Sequence, residues 1–191
     1  MLHPNDQQGK LVVVTGPSGV GKGTLLKALL AKYPQKLVFS VSGTTRSPRS
    51  GEIEGVNYFF YSRPEFEQKR LVGMFLESAE YAGNLYGTPR EPVEAAIAQS
   101  KIVILEIELK GARQIFQTFP NAQKIFIAPP SMEVLEQRLR QRSQDPDEAI
   151  AQRLSHAEIE VAASHEFDLV IINNDLAIAL CELEAAIFNL D

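Results

Sequence analysis

Residues 16–24 read Gly16-Pro-Ser-Gly-Val-Gly-Lys-Gly-Thr24, and three glycines so spaced let successive backbone N–H groups turn toward a single anion. Lys22 brings a mobile positive charge for the outer phosphates of a nucleotide. Thr24 brings a hydroxyl for a phosphate oxygen or a metal-bound water. The strict form of such a loop has Ser or Thr directly after the lysine, and here Gly23 intervenes. Context carries the reading instead. The apolar run Leu11-Val-Val-Val-Thr15 enters the loop, and a helical pattern with Leu25, Leu26, Leu29 and Leu30 leaves it. The anion would therefore meet the N-terminal end of a helix.

Two further groups of residues have the chemistry of a second substrate. Arg46 and Arg49 flank Pro48 in a turn that follows an apolar run. Their planar guanidinium forks suit one phosphate, donating paired, charge-assisted hydrogen bonds. Tyr58 and Tyr86 offer hydroxyls to the same anion, although each taken alone reads more simply as a packing residue. Glu77 stands in the largely apolar stretch Phe75-Leu-Glu-Ser-Ala-Glu80, where an unpaired carboxylate is costly. A guanine Watson–Crick edge presents two adjacent N–H donors to such a carboxylate, whereas adenine leaves it unpaired. Ser42 and Thr88 are placed to donate toward guanine O6 or N7. Spacing alone leaves open a solvent-facing Glu77, with Glu80 as its competitor.

These groups need a scaffold to bring them together. A chain of 191 residues with 45% hydrophobic content suits one large domain carrying small inserted subdomains. Strand-like apolar runs at 11–15, 37–41, 102–107, 124–128 and 169–172 alternate with helical patterns. That predicts an α/β fold with a parallel sheet covered on both faces and ligands at the carboxyl ends of the strands. Residues 42–89 break the pattern into short alternating pieces, a small mixed insertion whose one helix starts at Ser62, with Glu65 at capping-box distance. Pro92 fits the first turn of a helix running to about Gln99. From Ser131 the chain is helical until turn formers at 143–148, where Asp145 is the expected N-cap and Pro146 the first helical residue. The product is an arginine-rich helical arm. Leu176, Leu180, Leu183, Ile187 and Leu190 predict one apolar stripe on a closing helix.

Composition narrows the partners. A formal charge of −5 leaves no diffuse basic surface for nucleic acid. No signal-peptide pattern or membrane-length apolar run is present, so a cytoplasmic protein is expected. Cys181 is the single cysteine, which excludes an internal disulfide and predicts a small buried hydrophobe. His3, His156 and His165 show no ligand spacing and take no role, and residues 1–10 are expected to be a frayed tail. Monomer and homodimer are both open.

Four motifs in order, Gly16 to Thr24, Ser40-Val-Ser-Gly-Thr-Thr-Arg-Ser-Pro-Arg49, Gly83-Asn-Leu-Tyr-Gly-Thr88 and Ile127-Ala-Pro-Pro-Ser131, make the chain similar to the guanylate kinases. The resemblance covers residues 11 to about 188. It implies a P-loop nucleoside monophosphate kinase fold of three layers, with a core at 11–41, 90–137 and 165–191, a GMP-binding insertion at 42–89 and a helical lid at 138–164. The implied reaction is ATP plus GMP giving ADP plus GDP, with Mg²⁺ accompanying ATP and dGMP as a second acceptor. By residue, it implies ATP contacts from Pro17, Ser18, Gly19, Val20, Gly21, Lys22, Gly23, Thr24 and Asn173, with Thr24 also toward the metal. It assigns guanine to Ser42, Glu77 and Thr88, and the GMP phosphate to Arg46, Arg49, Tyr58 and Tyr86. Arg138, Arg142 and Arg153 would cover the transferring group, while Arg140 reads as a solvated helix-face residue. Glu106 and Glu108 stand where the family often has aspartates and belong to the acceptor side, with magnesium, its water or guanine all open as their contact. Gly43, where a larger residue is common, is expected to alter loop stiffness, and Ser143 to tune the lid turn. A phosphopeptide-binding module of the same fold, without catalysis, is the alternative from another class. A kinase for AMP or a pyrimidine nucleotide is the other.

Overall fold

The computed structural model describes residues 9–81, 83–142 (Arg142 by its backbone alone) and 146–188. In chain order the first half runs β1 (Lys10–Thr15), α1 (Lys22–Lys32), β2 (Leu37–Phe39), β3 (Gly43–Thr44), β4 (Phe59–Phe60), α2 (Arg63–Leu71), β5 (Phe75–Tyr81) and β6 (Asn84–Pro89). The second half runs α3 (Arg90–Ala98), β7 (Ile102–Glu106), α4 (Leu109–Thr118), β8 (Gln123–Ala128), α5 (Met132–Arg142), α6 (Asp147–Ala162), a 3₁₀ turn, β9 (Leu169–Ile172) and α7 (Leu176–Phe188).

The five apolar runs make one sheet in the order β2-β7-β1-β8-β9, parallel throughout. The central strand β1 shows why a continuous apolar run is needed, since successive side chains enter opposite faces. Val12 and Val14 pack with Leu25 and Leu29 of α1 and with Leu183 and Ile187 of α7. Leu11 and Val13 pack with Val93 of α3 and with Ala112 and Ile115 of α4. The result is three layers, helix, sheet and helix. Each fully buried Leu, Ile or Val contributes roughly 1.5–3 kcal/mol, and the main cores hold most of them.

The insertion forms a second sheet, β4-β3-β6-β5, mixed because β3 pairs parallel with β4 and antiparallel with β6. Phe66, Phe75 and Leu85 form its own small core. Ser62 caps α2 as expected, its hydroxyl accepting from the Glu65 backbone N–H at 3.3 Å. Gly43 has a packing reason instead of a stiffness one, for a Cβ there would lie 2.7 Å from the Tyr61 ring.

Several local expectations change. Lys10 belongs to β1 and donates to Gln123 Oε1 at 3.1 Å, so the tail cannot extend that far. The second strand stops at Phe39. Helix α6 begins at Asp147, with Pro146 as the extended residue before it, because a proline serves equally well just outside the first turn. Asp145, Ser143 and Leu190 lie outside the described residues. In α7 the buried line is Ala179, Leu183 and Ile187, and Leu176 is 44% exposed; four-residue steps keep one face inward. Cys181 is exposed on the same helix, one position round from Leu180.

Candidate active site

The functional side chains gather where the parallel strands end. The phosphate loop follows β1, Glu106 ends β7 and Asn173 follows β9. Gly21 precedes α1 at φ 104°, and a Cβ there would lie 2.5 Å from the Asn173 amide nitrogen. Glycine is required twice over, by conformation and by space. Asn173 is buried and donates from Nδ2 to the Val20 carbonyl at 2.7 Å. It braces the loop from beneath. Pro17 and Val20 are themselves buried, whereas a Cβ at Gly23 would meet nothing within 4 Å. The Ser or Thr missing from that position was thus not displaced by packing.

Lys22 folds back and donates from Nζ to the carbonyls of Gly16 and Pro17, the latter at 3.2 Å. Burial lowers its pKa, and the carboxylates of Glu106, Glu160 and Glu108 oppose that shift. A hollow of about 240 Å³ over the loop is lined by Ser18, Gly19, Lys22, Thr24 and Glu106. A larger cleft of about 510 Å³ begins at Lys22 and Glu106 and reaches Tyr58, Tyr86 and Glu77. Glu106 therefore borders both spaces. Thr24 and Glu106 present oxygen donors to the smaller one, a set that suits Mg²⁺ carried in with phosphate oxygens and water.

On the acceptor side, Arg46 pairs with Glu52 through both terminal nitrogens, at 3.0 and 2.7 Å. Its guanidinium carbon stands 5.4 Å from the Tyr58 ring centre, and Tyr86 also bonds to it. The hydrogen bond to Arg46 and a second from the Arg49 backbone N–H hold Glu52 well below the usual carboxylate range. Tyr58 and Tyr86 meet edge to face at 6.1 Å. Arg49 is exposed at the rim of this group.

Glu77 and Thr88 are direct cross-strand partners in the β5–β6 hairpin. A register shift between Phe75 and Glu77 explains how Phe75, Leu76 and Glu77 are all buried in succession. Phe75 enters the insertion core, Leu76 the main core, and Glu77 the cleft. Thr88 donates to Glu77 Oε1 at 2.8 Å. Burial raises the Glu77 pKa to about 6, against the lowering effect of Thr88. Glu80 is exposed and pairs with Arg63 at 3.4 Å, so the two candidate glutamates separate cleanly. Ser42 lines the same cleft.

The arm supplies the third side. Arg153 of α6 donates to Ser18 Oγ at 3.0 Å. Arg138 of α5 donates to the Asn173 carbonyl at 2.9 Å and the Val20 carbonyl at 3.4 Å. Arg140 is exposed and ties Glu136 to Asp147, while the Arg142 side chain lies outside the described residues. Glu108, at the N-cap position of α4, has its pKa raised by burial, with Lys22 and His156 opposing. Burial likewise pushes Glu160 up to about 7, against Lys22 and a bond from the Leu109 backbone N–H. Glu52, Gly111 and Glu160 belong to this constellation, and reading the sequence missed them; His156, expected to take no role, also lines the cleft. His156 and Glu160 follow Arg153 at steps of three and four, the one signal that pointed to a shared helix face.

Comparison with known proteins finds relatives along nearly the whole chain. The family model described as Guanylate kinase matches residues 8–190. The guanylate kinase of Trichormus variabilis is 56% identical over 184 residues, covering 96% of this chain and 92% of that protein. The guanylate kinase of Thermosynechococcus vestitus is also 56% identical, covering 99% and 98%. A crystal structure of guanylate kinase from Anaplasma phagocytophilum superposes with a TM-score of 0.72 at 33% identity, covering 93% of this chain and 84% of that one.

Proposed function

The chain belongs to the guanylate kinase family and is an enzyme of ATP-dependent GMP phosphorylation, and we propose that its residues divide that task as follows. The observation that carries the division is the single cleft joining Lys22 at the phosphate loop to the Glu77–Thr88 pair. The loop residues Ser18 to Thr24 hold the ATP phosphates by backbone N–H groups, and Lys22 exchanges its carbonyl partners for phosphate oxygens. Asn173 serves ATP through the shape of the loop. Mg²⁺ bound with ATP, near Thr24 and Glu106, supplies charge neutralisation at the phosphates. Glu77, Thr88 and Ser42 read guanine. Arg46, Arg49, Tyr58 and Tyr86 hold the acceptor phosphate, with Glu52 keeping the Arg46 fork oriented.

Transfer of the phosphoryl group needs alignment and dispersal of negative charge more than a protein nucleophile. Arg46 and Lys22 offset repulsion between the two anionic substrates. Arg138, Arg142 and Arg153 complete the cage from residues 138–164, which act as a lid and exclude water. dGMP is a second acceptor, since the named contacts are to base and phosphate. The compartment is cytoplasmic, as suits a chain with one thiol; among the described residues no helix is long and apolar enough to cross a membrane. The phosphopeptide-module reading has no observation in its favour.

A coupled assay across nucleoside monophosphates tests the reading. GMP should be phosphorylated far faster than AMP, UMP or CMP, and Lys22→Ala should cut turnover on the order of 100-fold or more with thermal stability kept. Equal rates with GMP and AMP, or near-normal turnover in Lys22→Ala, would overturn it.

A further inference from the structure

Gly111 is the third residue of α4, buried, and it lines the cleft beside Glu77. Glycine is among the poorest helix formers, and alanine at such a position ordinarily steadies a helix. Here the backbone is helical with no positive φ, so conformation gives no reason for glycine. Space does. A Cβ at Gly111 would lie 2.6 Å from Glu77 Oε2 and 3.2 Å from Glu77 Cδ, and all three of its nearest neighbours belong to that one side chain.

The Glu77 carboxylate is held at one oxygen, and the strand that carries it is held by its backbone. Thr88 holds Oε1 at 2.8 Å. One turn along α4 from Gly111, Gln114 accepts from the Ser78 backbone N–H at 3.1 Å and donates to the Ser78 carbonyl at 2.9 Å. That amide acts as an extra strand partner for β5 and clamps the backbone next to Glu77 onto α4. A side chain at 111 could not push the strand away as a body; it would displace the carboxylate alone.

We infer that Gly111 is a positioning residue for acceptor selection: the missing side chain is the space that lets the Glu77 carboxylate present both oxygens to two adjacent N–H donors of a purine. The inference rests on the reading of Glu77 as the base reader. It assigns to α4, an element of the core layer, a share in specificity otherwise held by the insertion. Pushing one oxygen aside removes a charge-assisted hydrogen bond, so GMP affinity should fall on the order of 10- to 100-fold. ATP affinity should not follow, because Gly111 does not border the hollow over the phosphate loop.

Titration calorimetry with GMP, AMP and ATP on Gly111→Ala, Glu77→Ala and the double variant tests this, with thermal unfolding alongside. The expected result is a GMP-specific loss in Gly111→Ala, an unchanged or raised thermal midpoint, and no added loss when Gly111→Ala is placed on Glu77→Ala. Wild-type GMP affinity in Gly111→Ala would overturn the inference while leaving Glu77 as base reader. So would an equal loss in both backgrounds, which would mean that Gly111 acts through something else. An unfolded Gly111→Ala would also overturn it, since only a movable carboxylate stands in the way. If Glu77→Ala kept its preference for GMP over AMP, the base-reader assignment would fail and the inference with it.

Discussion

Glu77 shows what recognition by a buried carboxylate demands of a protein. Its pKa rises from 4.5 to about 6 because burial penalises the charged form more than Thr88 relieves it. A folded-state value above the unfolded one means that the fold binds this proton more tightly than the open chain does. The associated stability is full below pH 4.5 and is lost as pH climbs through 6. At pH 7–8 the charge therefore costs about 1–2 kcal/mol, and Glu77→Gln should unfold at correspondingly higher denaturant. Binding follows the opposite sign. Guanine needs the ionised form, so GMP affinity should weaken below pH 6 by up to about tenfold per unit. The GMP phosphate titrates near the same pH, which makes the ratio of wild type to Glu77→Gln the useful readout. A ratio independent of pH from 5 to 8 would contradict this account. Function here is held at the expense of stability.

The elements differ in how they support the site. The phosphate loop is braced from two sides, by Asn173 and by Arg138, both bonded to the Val20 carbonyl. The insertion depends on a core of a few rings and on short strands of two residues, so its terminal caps matter more. Ser62→Ala removes the acceptor for the Glu65 N–H and should cost about 1 kcal/mol. Urea unfolding measures the loss, and hydrogen exchange should show it concentrated in residues 63–71. Unaltered exchange there would mean that the cap is dispensable. The hairpin β5–β6 has a different means of control. Its register shift turns Glu77 into the cleft where simple alternation after Phe75 and Leu76 would not.

At the scale of the whole molecule, catalysis depends on parts far apart in the chain meeting over one loop. Arg153 reaches Ser18 across 135 positions of sequence, linking α6 to the phosphate loop. Arg153→Ala should therefore lower kcat on the order of 100-fold, with GMP affinity near wild type because the acceptor groups lie at the other end of the cleft. A loss confined to GMP binding would move Arg153 out of the transfer step. Within the cleft, carboxylates outnumber cations. Lys22 and Arg153 face Glu106, Glu108 and Glu160 within it, so incoming phosphates meet an array already partnered rather than a bare positive surface. Burial pushes Glu160 up to about 7 in this array.

Local chemistry made the loop and the parallel sheet legible in the sequence. Glycine spacing and apolar runs act over a few residues and keep their meaning out of context. Residue chemistry pointed Glu77 at a guanine edge with Thr88 and Ser42 beside it, and resemblance agreed, but spacing alone left Glu77 open between cleft and solvent. Only the folded chain decided that question, because a bulge of the β5–β6 ladder aims Glu77 inward and leaves Glu80 outside. Only the fold, too, disclosed Gly111, Glu52 and Glu160. Their importance lies in what stands against them from 34 or more positions away, as Glu77 does for Gly111, or in a partner such as Arg46 whose geometry no pattern encodes. Periodicity reports which way a side chain points along its own element, and what it meets there is settled by packing between elements.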